Sequence, residues 1–139
     1  KLNVYVFDVI YATQGIEAST YRVNEKMRQY NTEQVLVEVN GLGVAAAMAI
    51  KRDLSANATL VPINSTTPKD VRIAANYEFV QRHFIFADDY SNNQEFNRFV
   101  SDLTSYVEGA DNTHRKDAID VCCRAASFVK IKFAKYLYG

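Results

Sequence analysis

Glu38 closes the apolar run Gln34-Val35-Leu36-Val37-Glu38-Val39 and is followed at once by Asn40-Gly41-Leu42-Gly43. A carboxylate inside a β-branched run is costly to bury unless a metal ion or a hydrogen-bond donor compensates it. Far downstream, Thr113-His114-Arg115-Lys116-Asp117-Ala118-Ile119-Asp120 opens the last helix with two more carboxylates. Acids at a strand end and on a C-terminal helix supply the oxygen donors taken up by hard cations such as Mg2+ or Mn2+. Two such ions can activate a water and stabilise the leaving oxygen of a phosphodiester. Glu38 and Asp117 are the expected metal ligands, and Asp120 lies one turn further on the same side of the helix. A plainer reading stands beside this one. Asp117 and Asp120 also make an acidic first turn that suits the helix dipole, and Glu38 also suits an edge strand facing water.

The neighbouring polar residues divide in the same way. His114 reads as a metal ligand, a general base or a phosphate donor, or else as a solvent-exposed loop histidine. Asp8, flanked by Phe7 and Val9, is a second acid in a strand-like run, and its side chain can face either side of the sheet. His83 has no evident partner and is assigned no role. Gly41 and Gly43 form no phosphate loop, because no Lys-Ser/Thr follows them; close turn-to-helix packing explains them better. Cys122 and Cys123 are neighbours on a helix, point in different directions and read as structural thiols of a reduced intracellular protein. No second Cys or His pair completes a zinc site.

These residues need elements to hold them. Leu2 to Tyr11 reads as a buried strand. Ser19 or Thr20 is a candidate cap for a helix with Val23, Met27 and Tyr30 on one face. Gln34–Val39 is the second strand, Val44 to Leu54 an alanine-rich helix and Ala58 to Ile63 the third strand. Thr67-Pro68-Lys69-Asp70 reads as a helix start with Thr67 as cap and Pro68 at the first helical position. Phe84 to Phe86 is a short strand. Ser91 is a candidate cap for a helix whose apolar stripe is Phe96, Phe99, Val100, Leu103 and Val107. The last helix runs from about Arg115 towards the C-terminus. This alternation predicts an α/β domain with parallel pairing in its second half, and a sheet in which the first three strands are adjacent.

The chain has 139 residues, enough for a single domain over 1–139, with 48% apolar residues and a net charge of zero. Whole-chain charge therefore gives no reason to expect a nucleic acid or a membrane as partner. No run is long and apolar enough to span a membrane, and Lys1-Leu2-Asn3 does not open a signal peptide. The distribution of charge says more. Arg115, Lys116, Arg124, Lys130, Lys132 and Lys135 concentrate basic charge on the last helix, beside its two acids.

Three ordered segments carry a resemblance. They are Val35-Leu36-Val37-Glu38-Val39-Asn40-Gly41-Leu42-Gly43, then Thr67-Pro68-Lys69-Asp70-Val71-Arg72-Ile73, then His114-Arg115-Lys116-Asp117-Ala118-Ile119-Asp120. Their order and spacing look like the nuclease domain of the large terminase subunit of tailed bacteriophages. The resemblance implies a ribonuclease H-like three-layer fold, a mixed central sheet flanked by helices. It also implies a Mg2+- or Mn2+-dependent endonuclease that cuts concatemeric double-stranded DNA in the cytoplasm of a bacterial host. Glu38 and Asp117 match the family's acids, with Asp120 beside them, and Lys69 and Arg72 match a Lys-x-x-Arg segment that would contact phosphate, with Arg115 and Lys116 nearby. The implied partners are the terminase ATPase domain, the small terminase subunit and the portal.

Two departures stand out. Lys116 occupies a position where the family usually has an acid. The family's first metal-binding Asp lies on a strand before the one at Leu2–Tyr11, so either that strand lies upstream of Lys1 or Asp8 takes the role. The missing strand is favoured, because Val4 to Tyr11 looks like the family's second or third strand, and the isolated chain is then expected to bind metal weakly and cut poorly. No Walker A loop occurs. The alternatives are another ribonuclease H-like nuclease of the resolvase type, and a catalytically silent domain that docks to the packaging machinery.

Overall fold

The computed structural model describes residues 2–41, 43–107 and 116–138. It is a mixed α/β chain with strands β1 (Val4–Val6), β2 (Gln34–Glu38), β3 (Thr59–Ile63) and β4 (Phe84–Phe86). The helices are α1 (Ile16–Gln29), α2 (Gly43–Arg52), α3 (Lys69–His83), α4 (Gln94–Thr104), α5 (Lys116–Lys132) and α6 (Ala134–Tyr138), with a 3-10 turn at Tyr90–Asn92. The chain divides into two compact units, the first made of Lys1–Tyr11 with Thr67–Gly139, the second of Ala12–Thr66.

The second unit is a βαβ unit preceded by α1. Strand β2 pairs in parallel with β3, Gln34 opposite Thr59 through Glu38 opposite Ile63, as the sequence predicts for this strand. Parallel neighbours need a crossover, and α2 supplies it. Val37, Ala47 and Ile50 form its buried centre, with Val23, Val35, Val39, Leu54 and Leu60 packed around them. Helix α1 starts at Ile16, earlier than the expected cap. Thr20 is inside it, donating its hydroxyl to the Ile16 carbonyl at 2.8 Å. The hydroxyl thus satisfies itself on the preceding turn, where the capping reading had placed it at the helix end.

The turn after β2 depends on two glycines. Gly41 has φ +57, in the left-handed region that glycine enters without penalty. Gly43, the first residue of α2, lies against the Glu38 carbonyl: a Cβ there would sit 1.9 Å from that oxygen. The close turn-to-helix packing expected from the sequence is therefore located at Gly43.

The first unit is built on α3 and α5. Ile73 and Val80 of α3 are buried against Ala118, Ile119, Cys122, Cys123 and Ala126 of α5 and Phe99 of α4. The Cys123 thiol donates to the Ile73 carbonyl at 3.9 Å. Burial pushes both thiols up from 9.0 to about 12; the neighbouring thiol adds to this at Cys122 and Asp120 at Cys123. Strand β1 pairs in parallel with β4, Val4 opposite Phe84 through Val6 opposite Phe86.

The sheet expected to hold Leu2–Tyr11, Gln34–Val39 and Ala58–Ile63 side by side is thus two separate parallel pairs. The ladder of β1 stops early because side chains take over its backbone groups. Asp8 accepts the Val9 N–H at 2.8 Å, Glu95 accepts the Tyr11 N–H at 2.9 Å and Arg98 donates to the Tyr11 carbonyl. The Tyr11 hydroxyl donates to Asp102 at 2.6 Å, and burial with the facing Asp102 carboxylate pushes it up to about 12. At the other end His83 Nδ1 lies 2.7 Å from the Leu2 carbonyl, with its ring stacked on Phe79. His83, assigned no role on sequence grounds, holds the segment leading into β1.

Helix starts also differ from expectation in detail. Pro68, at φ −56 and ψ 146, is the residue flanking α3, so the helix begins at Lys69 and no side chain caps it. Asn93, not Ser91, caps α4 by accepting the Phe96 N–H at 3.2 Å, because the 3-10 turn occupies the residues around Ser91.

Gly43→Ala should lower the unfolding free energy by about 1–3 kcal/mol, because backbone must move to clear the added methyl. Gly41→Ala should cost roughly 1–2 kcal/mol for left-handed backbone alone. Urea melts of the two variants check this; a Gly43→Ala protein as stable as the parent would mean that the packing on Glu38 is loose.

Candidate active site

The expected site residues fall in both units. Glu38 lies in the second, as the last residue of β2. Its side chain is exposed, so the compensation argued for a buried carboxylate is not needed. Asn40 Nδ2 reaches Glu38 Oε1 at 3.5 Å and donates to the Ser65 carbonyl at 3.0 Å, tying the carboxylate to the loop after β3. At the opposite end of the same strand pair, Asn31, Glu33, Gln34, Asn57 and Thr59 line an open polar hollow of about 510 Å3.

Asp117, Asp120, Lys69, Arg72 and Lys116 lie in the first unit, where the first turns of α3 and α5 come together. Both helices begin with Lys-Asp, and the two dipeptides exchange partners. Lys69 Nζ donates to Asp117 Oδ1 at 2.6 Å, and Lys116 Nζ donates to Asp70 Oδ1 at 3.1 Å. The acids Asp70 and Asp117 are 74% and 64% exposed, so these pairs are worth little individually. Each acid also sits in a helical first turn, where the dipole favours negative charge.

One turn deeper the pairing changes character. Arg72 grips Asp120 with a two-pronged fork, Nε to Oδ1 at 2.8 Å and Nη2 to Oδ2 at 2.9 Å. Arg124 Nε approaches Asp120 Oδ2 at 3.6 Å from the next turn of α5. The three side chains are only 10–14% exposed. Arg72 Nη1 also donates to the Thr67 carbonyl at 2.7 Å, and Asn76, itself buried, donates to the Arg72 carbonyl at 2.9 Å. A buried bidentate pair with its remaining groups satisfied is the arrangement in which an interior ion pair survives desolvation.

Of the cations expected to contact phosphate, Lys69, Arg72 and Lys116 therefore sit on acids that the sequence pointed to as metal ligands or left unassigned. The sequence offered Asp70 only as part of the α3 start and Arg124 only as part of the basic concentration on the last helix, neither as a site residue. The repeated Lys-Asp dipeptide at two helix starts and the Asp120/Arg124 spacing of four residues were the available signals. Asp8 is in the first unit, its carboxylate on the Val9 N–H. His114 and Arg115 lie outside the described residues. Among the described residues no group of three or more His, Cys, Asp or Glu side chains that could hold a metal ion occurs, and no helix is long and apolar enough to cross a membrane.

No protein-family model, curated protein or solved structure matches the chain.

Arg72→Ala should lower stability by about 3–5 kcal/mol, because it leaves the Asp120 carboxylate buried beside one guanidinium instead of two. Lys69→Ala should cost less than about 1 kcal/mol. Denaturant melts at low and high salt separate the two: added salt should shrink the Lys69 effect and leave the Arg72 effect nearly unchanged.

Proposed function

We propose that the chain is the nuclease domain, or most of it, of a phage-type large terminase subunit: a Mg2+- or Mn2+-dependent endonuclease acting on concatemeric double-stranded DNA. The observation that carries the reading is the setting of Glu38. Its carboxylate is exposed at the carboxyl end of a parallel strand pair, where α/β folds present the groups that bind ligands. The Asn40 side-chain amide lies beside it.

Two of the expected carboxylates are, each taken alone, of the kind a hard divalent cation accepts. Glu38 and Asp117 are solvent-facing carboxylates, and Mg2+ and Mn2+ are held by one or two such groups together with water and phosphate oxygens. When bound, the metal would lower the pKa of a water and stabilise the leaving oxygen of the phosphodiester. Each unit would contribute its own residues: Glu38 as a metal ligand in the second, and in the first Asp117 as a metal ligand with Lys69 and Lys116 on the DNA backbone, while the resemblance adds His114 to orient water or phosphate and Arg115 to contact the backbone. Backbone contacts of this kind set register without reading sequence. Arg72 is committed to Asp120, so its share in phosphate contact is indirect. Asp8 is the candidate third acid if no upstream strand brings one. The terminase ATPase domain, the small subunit and the portal follow as partners, and the bacterial cytoplasm as location, from the resemblance alone. A resolvase-type nuclease would use the same residues.

A second reading is favoured by a specific observation. Lys69, Arg72 and Lys116 are each paired with an acid, as in a helix interface whose charges serve its own cohesion. On that reading the domain is catalytically silent and docks to a packaging partner.

Conversion of supercoiled plasmid to nicked and linear forms in Mn2+ or Mg2+, by a parent protein extended upstream of Lys1, separates the two. The nuclease reading expects Glu38→Ala and Asp117→Ala each to slow cutting by about a hundredfold or more, since each removes a metal ligand, with DNA retention changed by less than about threefold. Cutting by both variants at the parent rate would refute the assignment; metal-independent silence of the parent protein would favour the docking reading.

A further inference from the structure

Asp120 was read from the sequence as an assisting metal ligand, yet its surroundings are those of a different task. Both of its carboxylate oxygens are engaged by the Arg72 fork, at 2.8 and 2.9 Å, and one of them is also faced by Arg124 at 3.6 Å. A cation arriving there would have to break a buried bidentate pair and then sit against two guanidinium groups in surroundings where like charges repel strongly. Asp117, three residues earlier on the same helix, has the opposite setting. It is 64% exposed, and its partner Lys69 is a flexible, well-hydrated ammonium that can swing away.

Arg72 does more than neutralise Asp120. Through Nη1 it holds the Thr67 carbonyl ahead of α3, and its own carbonyl accepts from the buried Asn76. One guanidinium thus joins the segment leading into α3, the first turn of α3 and the first two turns of α5.

We propose that Asp120 is a positioning residue and not a metal ligand: clasped by Arg72, it fastens the start of α5 to α3 and so fixes where the Asp117 carboxylate is presented. The part concerning Asp117 rests on the nuclease reading above; the fastening of α5 does not.

Two measurements test it, and they fail separately. The first is amide hydrogen exchange on the whole chain. The first helical amides of α5 have no partner within the helix, so the informative ones run from Asp120 to Cys123. Asp120→Asn and Arg72→Ala should each speed exchange there by about tenfold or more beyond whatever change the lost global stability causes at the amides of residues 126–130. Unchanged exchange at 120–123 in both variants would overturn the proposal.

The second is calorimetric titration with Mn2+ alone, where the two roles for Asp120 predict opposite signs. If Asp120 were a ligand, Arg72→Ala would release it and tighten Mn2+ binding. If Asp120 positions Asp117, Arg72→Ala should weaken binding by roughly three- to tenfold, and Arg72→Lys, which keeps one charged contact, by less. A merely structural loss lowers the fraction of folded protein and hence the stoichiometry, leaving the dissociation constant where it was. Tighter binding in Arg72→Ala or Arg72→Lys overturns the proposal. Absence of Mn2+ binding by the parent protein would instead remove the nuclease reading, and the exchange experiment would still decide whether Asp120 fastens the helix.

Discussion

A carboxylate kept almost dry is expensive, and the first unit is arranged around meeting that expense. Asp120 gives up most of its water and in return receives the Arg72 fork and the nearby Arg124. The arrangement requires α3 and α5 to come close, and the residues facing one another permit it. Ala118, Cys122 and Ala126 recur every four residues along α5, and Ile73 of α3 is fully enclosed between the helices. Small side chains on one helix and a branched one on the other let the backbones approach, and the guanidinium then spans the remaining gap. Without the fork, the buried Asp120 carboxylate would face Arg124 alone.

At this junction charge is balanced locally, by acids and bases placed opposite one another on two helices. The C-terminal part of α5 with α6 is arranged differently. There Lys130, Lys132 and Lys135 lie over the rings of Phe79, Phe128, Phe133 and Tyr136. Ring faces take the place of carboxylates as neighbours of the ammonium groups.

Much of this was legible in the residues. The βαβ unit could be read from β-branched runs broken by Asn40-Gly41 and by an alanine-rich stretch, and strand β4 was found at its three expected residues, because period and punctuation are local properties. The strand at the start was overestimated. Leu2 to Tyr11 is apolar throughout, but which backbone groups join a ladder depends on what else competes for them. Two of the competitors, Glu95 and Arg98, lie more than eighty residues from the Tyr11 they engage. The site residues were legible as residue types and not as partnerships. Lys69, Arg72, Asp117 and Asp120 were all marked out, but that they answer one another across a helix pair is a tertiary fact that no spacing along the chain contains. Glu38 was marked for an expected burial that the structure does not have, since the last residue of a strand can turn to solvent where an interior one cannot.

The two adjacent thiols of α5 give the chain an unplanned convenience. Each is enclosed, and burial disfavours the thiolate on which alkylating reagents act. The native chain can therefore serve as its own cysteine-free background. A single cysteine introduced at an exposed helical position such as Gln29 or Asn97 would accept a spin label or fluorophore alone, with Cys122 and Cys123 left in place to pack the helix interface they belong to.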